Sequence, residues 1–426
     1  MFFDEKTALQ GSRIGLSNCS ACKLSRTCES PEMSPSGQGE KGILIIGEAP
    51  GAADDRQGMQ FVGESGQRLR SILSDSGIDM DRDCRKMYAV NCRPPDSREP
   101  TAAEIDACRP RVWEEIYAFK PKLILLLGHA AVVSFLGHRW KKDLGGIAKW
   151  RGHVIPDPDA RSWAMATYSP SYLLRSQNNP AIETVFRQDI RAALGHLGKT
   201  DTGSAAEYPA QPSGAGQTST IPANLGQSTC SEDSIRILRS AEESVALLKL
   251  LYQDLRSSAG GLMAFDYEMT GLKPYDKGHE IVCCGVSTGD RTFVFEMMAD
   301  VELRRWWKRI LMEKRIAKSA HNMRFEDSWT NVILGHPVAG WKWCSMLAAH
   351  VLDNRPDICG LKFQAYINFG IVDYSSKLEP YLKTAEGVKF NRVREAPLKD
   401  LMQYCGMDAL LQYRLAVKQM VEVGFR

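Results

Sequence analysis

The sequence lacks a marked excess of charge of either sign. Its 426 residues include 54 lysines and arginines and 51 aspartates and glutamates, so the formal net charge is only +3. A cationic field over the whole molecule, of the kind that draws a protein to nucleic acid, is therefore excluded. Any contact with DNA has to come from local groups of residues.

Long apolar segments are also lacking. No run approaches the roughly 18 apolar residues that a membrane-spanning helix needs. The first residues, MFFDEKTALQ, do not show a basic stretch followed by an apolar one, as a secretory signal would. We therefore expect a cytoplasmic protein without a membrane partner. In that reducing compartment the 12 cysteines are expected to be free thiols or metal ligands.

Large aliphatic residues are almost missing from residues 198–234, which are rich in Gly, Ser, Thr, Ala and Pro. Such a segment buries too little apolar surface to offset the entropy lost on ordering it. The sequence thus predicts a first domain over residues 1–197, a flexible linker over 198–234 and a second domain over 235–426.

Both domains have the patterns of α/β structure. In the first, the apolar runs 43–47, 123–128 and 163–168 alternate with longer segments of helical character, which predicts parallel strands joined by helices. In the second, residues 281–287 and 291–296 predict a hairpin around a Thr-Gly-Asp turn.

Acidic residues of the second domain have the spacing of a cation site. Asp266 and Glu268 follow a predicted strand, 261–265, and residues two apart on a strand point to one face. Two adjacent carboxylates repel each other, and Mg²⁺ or Mn²⁺ prefers such oxygen ligands. In the predicted helix LMQYCGMDALL, Tyr404 and Asp408 are one turn apart, so a phenol and a carboxylate can reach the same point.

With the segment AHNMRFEDSW, these stretches resemble the three exonuclease motifs of DEDDy-type proofreading domains. The resemblance covers nearly all of residues 261–426 and implies a ribonuclease H-like α/β fold. It implies that Asp266, Glu268 and Asp408 hold two divalent ions about 4 Å apart, which activate water for attack on the terminal phosphodiester. Tyr404 would orient that water.

The second exonuclease motif is less certain than the other two. The resemblance aligns its carboxylate with Glu326, where most relatives have aspartate. Glutamate is one methylene longer and still reaches a metal-bound water, but the sequence leaves open whether Asp327 serves instead.

Four cysteines of the first domain have spacings typical of a metal site: Cys19, Cys22, Cys92 and Cys108. A C-x₂-C pair with two further thiolates suits an iron–sulfur cluster or zinc. Cys28 and Cys84 are additional candidates, so the thiols alone do not fix the ligand set.

The segments GEAPG, MQFVGESG, CRPPDSREP and SPSYLLR, in this order, resemble the iron–sulfur-containing family-four uracil-DNA glycosylases over about residues 14–197. The resemblance implies a three-layer α/β/α sandwich and a [4Fe-4S] cluster on those four cysteines. Phe61 matches the aromatic residue that stacks on flipped uracil. Glu48 matches the acidic residue of the glycosylase loop.

Two residues depart from that family. Tyr88 stands where the family has its uracil-reading asparagine, and a phenol cannot offer the paired donor and acceptor of an amide. Ser169 replaces the histidine of the His-Pro-Ser motif and cannot supply a positive charge to the departing uracil anion. We therefore expect a glycosylase fold without efficient glycosylase activity.

Segments 138–142 (HRWKK) and 149–153 (KWRGH) interleave basic and aromatic residues. This composition is used to grip a nucleic-acid backbone and to stack on unpaired bases. Solvated loop charges explain it equally well, so DNA contact by these segments is one of two interpretations.

The order of the domains resembles the N-terminal part of certain bacteriophage family A DNA polymerases, without the polymerase domain. This predicts a 3′→5′ DNA exonuclease that acts on single-stranded 3′ ends in DNA replication, in the host cytoplasm if a phage encodes it, and that works with a polymerase domain or subunit. The alternatives are a bifunctional repair protein that excises uracil and a non-catalytic DNA-binding module. The sequence also leaves RNA open as a substrate.

Overall fold

A computed structural model describes residues 19–140, 143–176, 179–197, 234–257, 261–297, 300–372, 374–384 and 387–425. Apart from Ser234, the predicted linker lies outside these residues. The chain divides into two compact units. The first contains the described residues before the linker together with Tyr366–Val372, and the second contains the rest.

The first unit is built on a mainly parallel sheet with the strand order β2-β1-β3-β5-β4. Its described strands are β1 (Ile43–Gly47), β2 (Cys84–Tyr88), β3 (Leu123–Leu127), β4 (Val154–Asp157) and β5 (Ser162–Thr167). Strands β1, β2, β3 and β5 run parallel, and β4 pairs antiparallel with β5. Every residue of β1 and β3 is buried, as expected of central parallel strands covered on both faces. The predicted alternation of parallel strands and helices is confirmed.

The described helices of the first unit precede, connect and follow these strands. They are α1 (Cys19–Cys22), α2 (Ala52–Gln57), α3 (Glu64–Ser74), α4 (Ala102–Phe119), α5 (His129–Leu136), α6 (Ile147–Trp150), α7 (Pro170–Arg175) and α8 (Pro180–Leu194). The turn between β1 and α2 contains GEAPG, so the glycine-rich segment lies at the carboxyl end of a central strand. Ligand sites of open α/β sheets usually form at this edge.

The second unit is built on a mixed sheet with the strand order β11-β10-β7-β8-β9-β6. Its described strands are β6 (Ile235–Ile237), β7 (Leu262–Met269), β8 (Ile281–Ser287), β9 (Thr292–Glu296), β10 (Ala317–Ala320) and β11 (Trp341–Cys344). The predicted hairpin is present as the antiparallel pair β8 and β9. Strand β7 is longer than predicted, because pairing with β8 continues through Met269 and keeps Asp266 and Glu268 inside the strand.

The described helices of this unit are α9 (Ala241–Ser257), α10 (Val301–Met312), α11 (Met323–Leu334), α12 (Ser345–Leu352), the first residues of α13 (Leu361–Phe369), α14 (Glu379–Leu382) and α15 (Leu398–Glu422). Helix α15 contains the predicted helical segment and extends well beyond it. No helix of the described residues has both the length and the apolar character needed to cross a membrane.

The basic and aromatic segments of the first unit are largely structural. Arg139 is buried and forms a two-pronged ion pair with the buried Asp157. Trp150 is fully buried and lies edge-on to Trp140, with ring centroids 5.2 Å apart. Neither Arg139 nor Trp150 is therefore available to grip DNA, and Arg139 is not a solvated loop charge either. Residues 141–142 lie outside the described part.

Helix α15 approaches the sheet closely at Gly285 of β8. A Cβ atom at this position would lie 2.5 Å from the Cys405 carbonyl oxygen and 3.2 Å from the Ala409 Cβ. Gly285 is paired with Asp266 of β7, so the contact also sets the height of α15 above the carboxylate-bearing strand. Gly406 on the helix is equally restricted, since a Cβ there would meet Ile235 and Val294.

We expect Gly285→Ala to destabilise the second unit by about 1–3 kcal/mol, because the added methyl group overpacks a backbone contact that cannot yield locally. Urea denaturation followed by tryptophan fluorescence measures this. Gly360→Ala is the control, since a Cβ at Gly360 meets nothing within 4 Å. Equal unfolding midpoints for the two variants would contradict a tight contact between helix and sheet.

Candidate functional site

The carboxylates of the second unit converge where β7 lies beneath α15. Asp266 and Glu268 are on β7, and Asp408 is on α15. One ligand atom each from Asp266, Glu268 and the Cys405 thiol lies within 4.8 Å of the other two. In the described part of the chain, these residues form the one group with spacing suited to a single metal ion.

Burial and mutual repulsion make the ionised form of these carboxylates costly. Burial raises the pKa of Asp266 well above its ordinary value, and the neighbouring Asp408 raises it further. Burial also raises the pKa of Glu268, with an added contribution from Asp266. Lys362 opposes this effect at Glu268 only partly. A site of this kind gains stability from a bound divalent cation, and the donor set of buried carboxylate oxygens fits Mg²⁺ or Mn²⁺.

Gln412 fixes the orientation of Asp266. Its amide nitrogen donates a 2.7 Å hydrogen bond to the Asp266 carboxylate, and its amide oxygen accepts a 3.0 Å hydrogen bond from the His321 backbone N–H. Gln412 is fully buried. One amide therefore joins β7, α15 and the segment that leads into α11.

Two tyrosines border Asp408. The Tyr374 hydroxyl donates a 2.5 Å hydrogen bond to the Asp408 carboxylate. The Tyr404 ring stacks on the Tyr374 ring with centroids 5.7 Å apart, and the Lys362 ammonium lies 5.2 Å from the Tyr404 ring centroid. Burial raises the Tyr404 pKa well above its ordinary value, so its hydroxyl stays protonated at neutral pH.

The two candidate carboxylates on α11, Glu326 and Asp327, lie in different surroundings. Glu326 is only 3% exposed, its Oε2 atom has no hydrogen-bond partner, and Asp266 contributes to the upward shift of its pKa after burial. Asp327 instead accepts hydrogen bonds from the Val338 backbone N–H at 2.9 Å and the Trp341 indole N–H at 3.3 Å. Glu326 therefore faces the Asp266 group, whereas Asp327 ties α11 to the segment that ends in β11.

Three neighbours of the site were absent from the sequence interpretation. Gln412 lies one turn beyond Asp408, so extending the spacing that paired Tyr404 with Asp408 would have found it. Cys405 is adjacent to Tyr404 in the chain, but its orientation depends on how α15 packs at Gly285. Tyr374 lies outside the helices and strands, and no periodicity indicates it.

In the first unit, Tyr88 is packed against Phe61. Their ring centroids are 4.8 Å apart, and a Cβ on Gly47 would lie 2.8 Å from both rings. The Tyr88 hydroxyl accepts a 3.0 Å hydrogen bond from the Phe61 N–H and donates a 2.9 Å one to Asp54. Asp54 also accepts a 2.8 Å hydrogen bond from the Val62 N–H. The Tyr88 phenol is thus part of the hydrogen-bond network that holds the segment containing Phe61 and Val62.

Glu48 and Ser169 meet on the same side of the sheet. Burial raises the Glu48 pKa, while hydrogen bonds from the Ala130 N–H and the Ser169 side chain oppose the shift. Ser169 is also the N-cap of α7, where its hydroxyl accepts a 3.4 Å hydrogen bond from the Tyr172 N–H. Ser169 thus caps α7 and donates a hydrogen bond to Glu48. It does not supply the positive charge of a protonated histidine.

The four predicted cysteine ligands lie in one region of the first unit. Electrostatic interactions connect Cys108 with Cys19 and Cys22, and Cys92 with Cys108. Burial raises the pKa of Cys92 to about 12, so its thiolate needs a cation to persist. The structure also brings Cys28 to Cys92, with their side chains hydrogen-bonded, whereas Cys84 lies in the apolar core.

N–H donors point at these sulfur atoms. The Glu32 backbone N–H donates a 3.2 Å hydrogen bond to the Cys92 sulfur, and an Arg111 guanidinium nitrogen lies 3.6 Å from the Cys19 sulfur as donor. Donors of this kind stabilise thiolate ligands and tune iron–sulfur clusters. These donors suit thiolate ligands, but in the described residues the four sulfur atoms are not grouped at the spacing of a single metal ion.

Comparison with known protein families assigns both units. Residues 35–191 match the uracil DNA glycosylase superfamily, and residues 238–423 match a 3′-5′ exonuclease family. The predicted fold class, a glycosylase-like α/β sandwich followed by a ribonuclease H-like α/β domain, is confirmed.

Individual relatives agree with these matches. A type-4 uracil-DNA glycosylase of Pyrobaculum aerophilum is 33% identical over 187 residues, which are 42% of this chain and 90% of that protein. A DNA polymerase of Bacillus phage SP01 is 32% identical over 167 residues, which are 38% of this chain and 17% of the polymerase.

Solved structures similar to the chain include Escherichia coli RNase D, an exoribonuclease involved in structured RNA processing. It is 16% identical, with a TM-score of 0.35 and coverage of 45% of each chain. The match thus spans less than half of that structure. By its first unit the chain belongs to the uracil-DNA glycosylase superfamily, and its second unit is a 3′-5′ exonuclease domain.

Proposed function

We propose that this protein is a proofreading 3′→5′ exonuclease of DNA replication that hydrolyses the terminal phosphodiester of a single-stranded DNA end with two divalent ions. The observation that carries the proposal is the convergence of Asp266, Glu268, Asp408 and Glu326 where α15 packs on β7. Burial and mutual repulsion raise the pKa values of Asp266, Glu268 and Glu326 there. The exonuclease family match supports it.

Each residue has a separate role in this proposal. Asp266, Glu268 and Asp408 would hold the ions, and Glu326 would accept a hydrogen bond from a water molecule in the site. Bound divalent ions supply a deprotonated water and stabilise the leaving 3′-oxygen. Tyr404 orients the attacking water through its protonated hydroxyl. Gln412 and Tyr374 hold Asp266 and Asp408 in place through the hydrogen bonds described above.

The test of this proposal is digestion of 5′-labelled single-stranded DNA with Mg²⁺, beside an RNA of the same sequence. Wild type should shorten the DNA from its 3′ end, and Asp266→Ala should lower the rate by about 10³-fold or more, because several kcal/mol of metal-dependent stabilisation are lost. Asp290→Ala is the control, since Asp290 lies exposed in the hairpin turn. Equal rates for wild type and Asp266→Ala would contradict the proposed site, and faster cleavage of RNA would contradict the proposed substrate.

We also propose that Glu326 is the carboxylate of the second exonuclease motif. Glu326→Gln should lower the cleavage rate by about 10- to 100-fold without lowering the melting temperature, because the side chain keeps its size and loses a charge that burial makes costly. Asp327→Ala should destabilise the domain by about 1–3 kcal/mol, because the Val338 and Trp341 N–H groups lose their acceptor. Cleavage assays and thermal denaturation of both variants check this, and the reverse pattern would assign the role to Asp327.

For the first domain, we propose a DNA-binding or partner-docking role with a [4Fe-4S] cluster on Cys19, Cys22, Cys92 and Cys108. The N–H donors directed at Cys19 and Cys92 support a thiolate-bound cluster. The match to part of a phage DNA polymerase supports a polymerase domain or subunit as the partner. We propose residues 1–197 and 235–426 as the two domains, joined by 198–234.

Uracil excision is not part of the proposed function. Tyr88 fills the space beside Phe61 and Ser169 offers no positive charge, so wild type should release no uracil from single-stranded DNA above the buffer background. Release of labelled uracil measures this, with an active type-4 glycosylase as the positive control. Turnover by wild type that Glu48→Ala abolishes would restore the bifunctional alternative.

A further inference from the structure

The Cys405 thiol lies among the carboxylates of the exonuclease domain. Its sulfur atom is within 4.8 Å of a carboxylate oxygen of both Asp266 and Glu268. The thiol also donates a 3.5 Å hydrogen bond to the Asp266 carbonyl oxygen. Because α15 is seated against Gly285 through the Cys405 backbone, the Cys405 main chain is held close to the sheet.

A sulfur atom changes which metals this site prefers. Mg²⁺ is a hard ion that binds oxygen and gains little from a thiol. Zn²⁺ and Cd²⁺ are softer, and Zn²⁺ combines thiolate and carboxylate ligands readily, in a tetrahedral arrangement. Two carboxylates and one thiolate thus provide three protein ligands for such an ion.

A second observation, at Glu326, indicates that this group of residues accepts a ligand. Glu326 is 3% exposed, its Oε2 atom has no hydrogen-bond partner, and it interacts electrostatically with Asp266. A buried carboxylate oxygen without a partner is costly unless a cation or a water bound to one satisfies it. Glu326 thereby adds a carboxylate oxygen without a hydrogen-bond partner near Asp266.

We propose that Asp266, Glu268 and Cys405 form a binding site for a thiophilic divalent cation, Zn²⁺ or Cd²⁺, which competes with Mg²⁺ for the same carboxylates and inhibits the nuclease. The thiol releases its proton to solvent and its sulfur donates a lone pair to the ion. The inhibition rests on the proposed function, whereas the binding does not. Mg²⁺ gains little from the thiol, so zinc should act at concentrations far below that of magnesium.

Cobalt absorption tests the binding without any nuclease substrate. Co²⁺ added to the full chain should give a thiolate-to-cobalt charge-transfer band whose Cys405-dependent part is seen in the difference between wild type and Cys405→Ser. Thiols of the first domain contribute equally to both proteins and cancel. Addition of Zn²⁺ should remove this difference band.

Cys359→Ser is the control, because Cys359 is a free thiol of the same unit and lies outside the three-residue group. Its spectrum should keep the difference band. Loss of the band in Cys359→Ser and not in Cys405→Ser would overturn the proposal, as would identical spectra of wild type and Cys405→Ser.

Inhibition is measured as the Zn²⁺ concentration that halves DNA cleavage at fixed Mg²⁺. This concentration should be about 10- to 100-fold higher for Cys405→Ser than for wild type, because one ligand of the soft ion is lost. The rate of each protein is expressed relative to its own rate without zinc. Equal half-inhibitory concentrations would overturn the competition. A cobalt band that depends on Cys405 in a protein without nuclease activity would refute the proposed function and leave the metal site intact.

Discussion

The second unit depends on the close seating of α15 against β8 at Gly285. Only a residue without a side chain allows the Cys405 carbonyl to approach the sheet this closely, and Gly406 repeats the restriction from the helix side. At this height, Asp408, Gln412 and Cys405 all reach β7. The carboxylates are therefore brought together by a contact between two backbones. That contact does not involve the polar side chains of the site.

The burial that results makes the site electrostatically unfavourable without a cation. The pKa values of Asp266, Glu268 and Glu326 are all raised, first by burial and then by neighbouring carboxylates. Folding stability and metal affinity are thus opposed within one domain, and the apolar core around Phe265, Trp307 and Trp329 has to offset the repulsion. This explains how a strand can be buried almost throughout and still present two carboxylates.

The sequence predicted features that depend on local spacing. Strand periodicity placed Asp266 and Glu268 on one face, and helical periodicity paired Tyr404 with Asp408. It could not distinguish Glu326 from Asp327, because adjacent residues on a helix differ in direction, and direction depends on the partners Val338 and Trp341. It also could not show that Arg139 is buried, since its partner Asp157 becomes a neighbour only through the fold.

The Gln412 amide joins the Asp266 carboxylate to the backbone that leads into α11. It offers a donor on one side and an acceptor on the other, so neither a carboxylate nor an ammonium group can replace it. Through it, the Asp266 carboxylate is connected to the backbone at His321, two residues before α11, the helix that carries Glu326. One side chain thereby sets the position of the first exonuclease motif relative to the second.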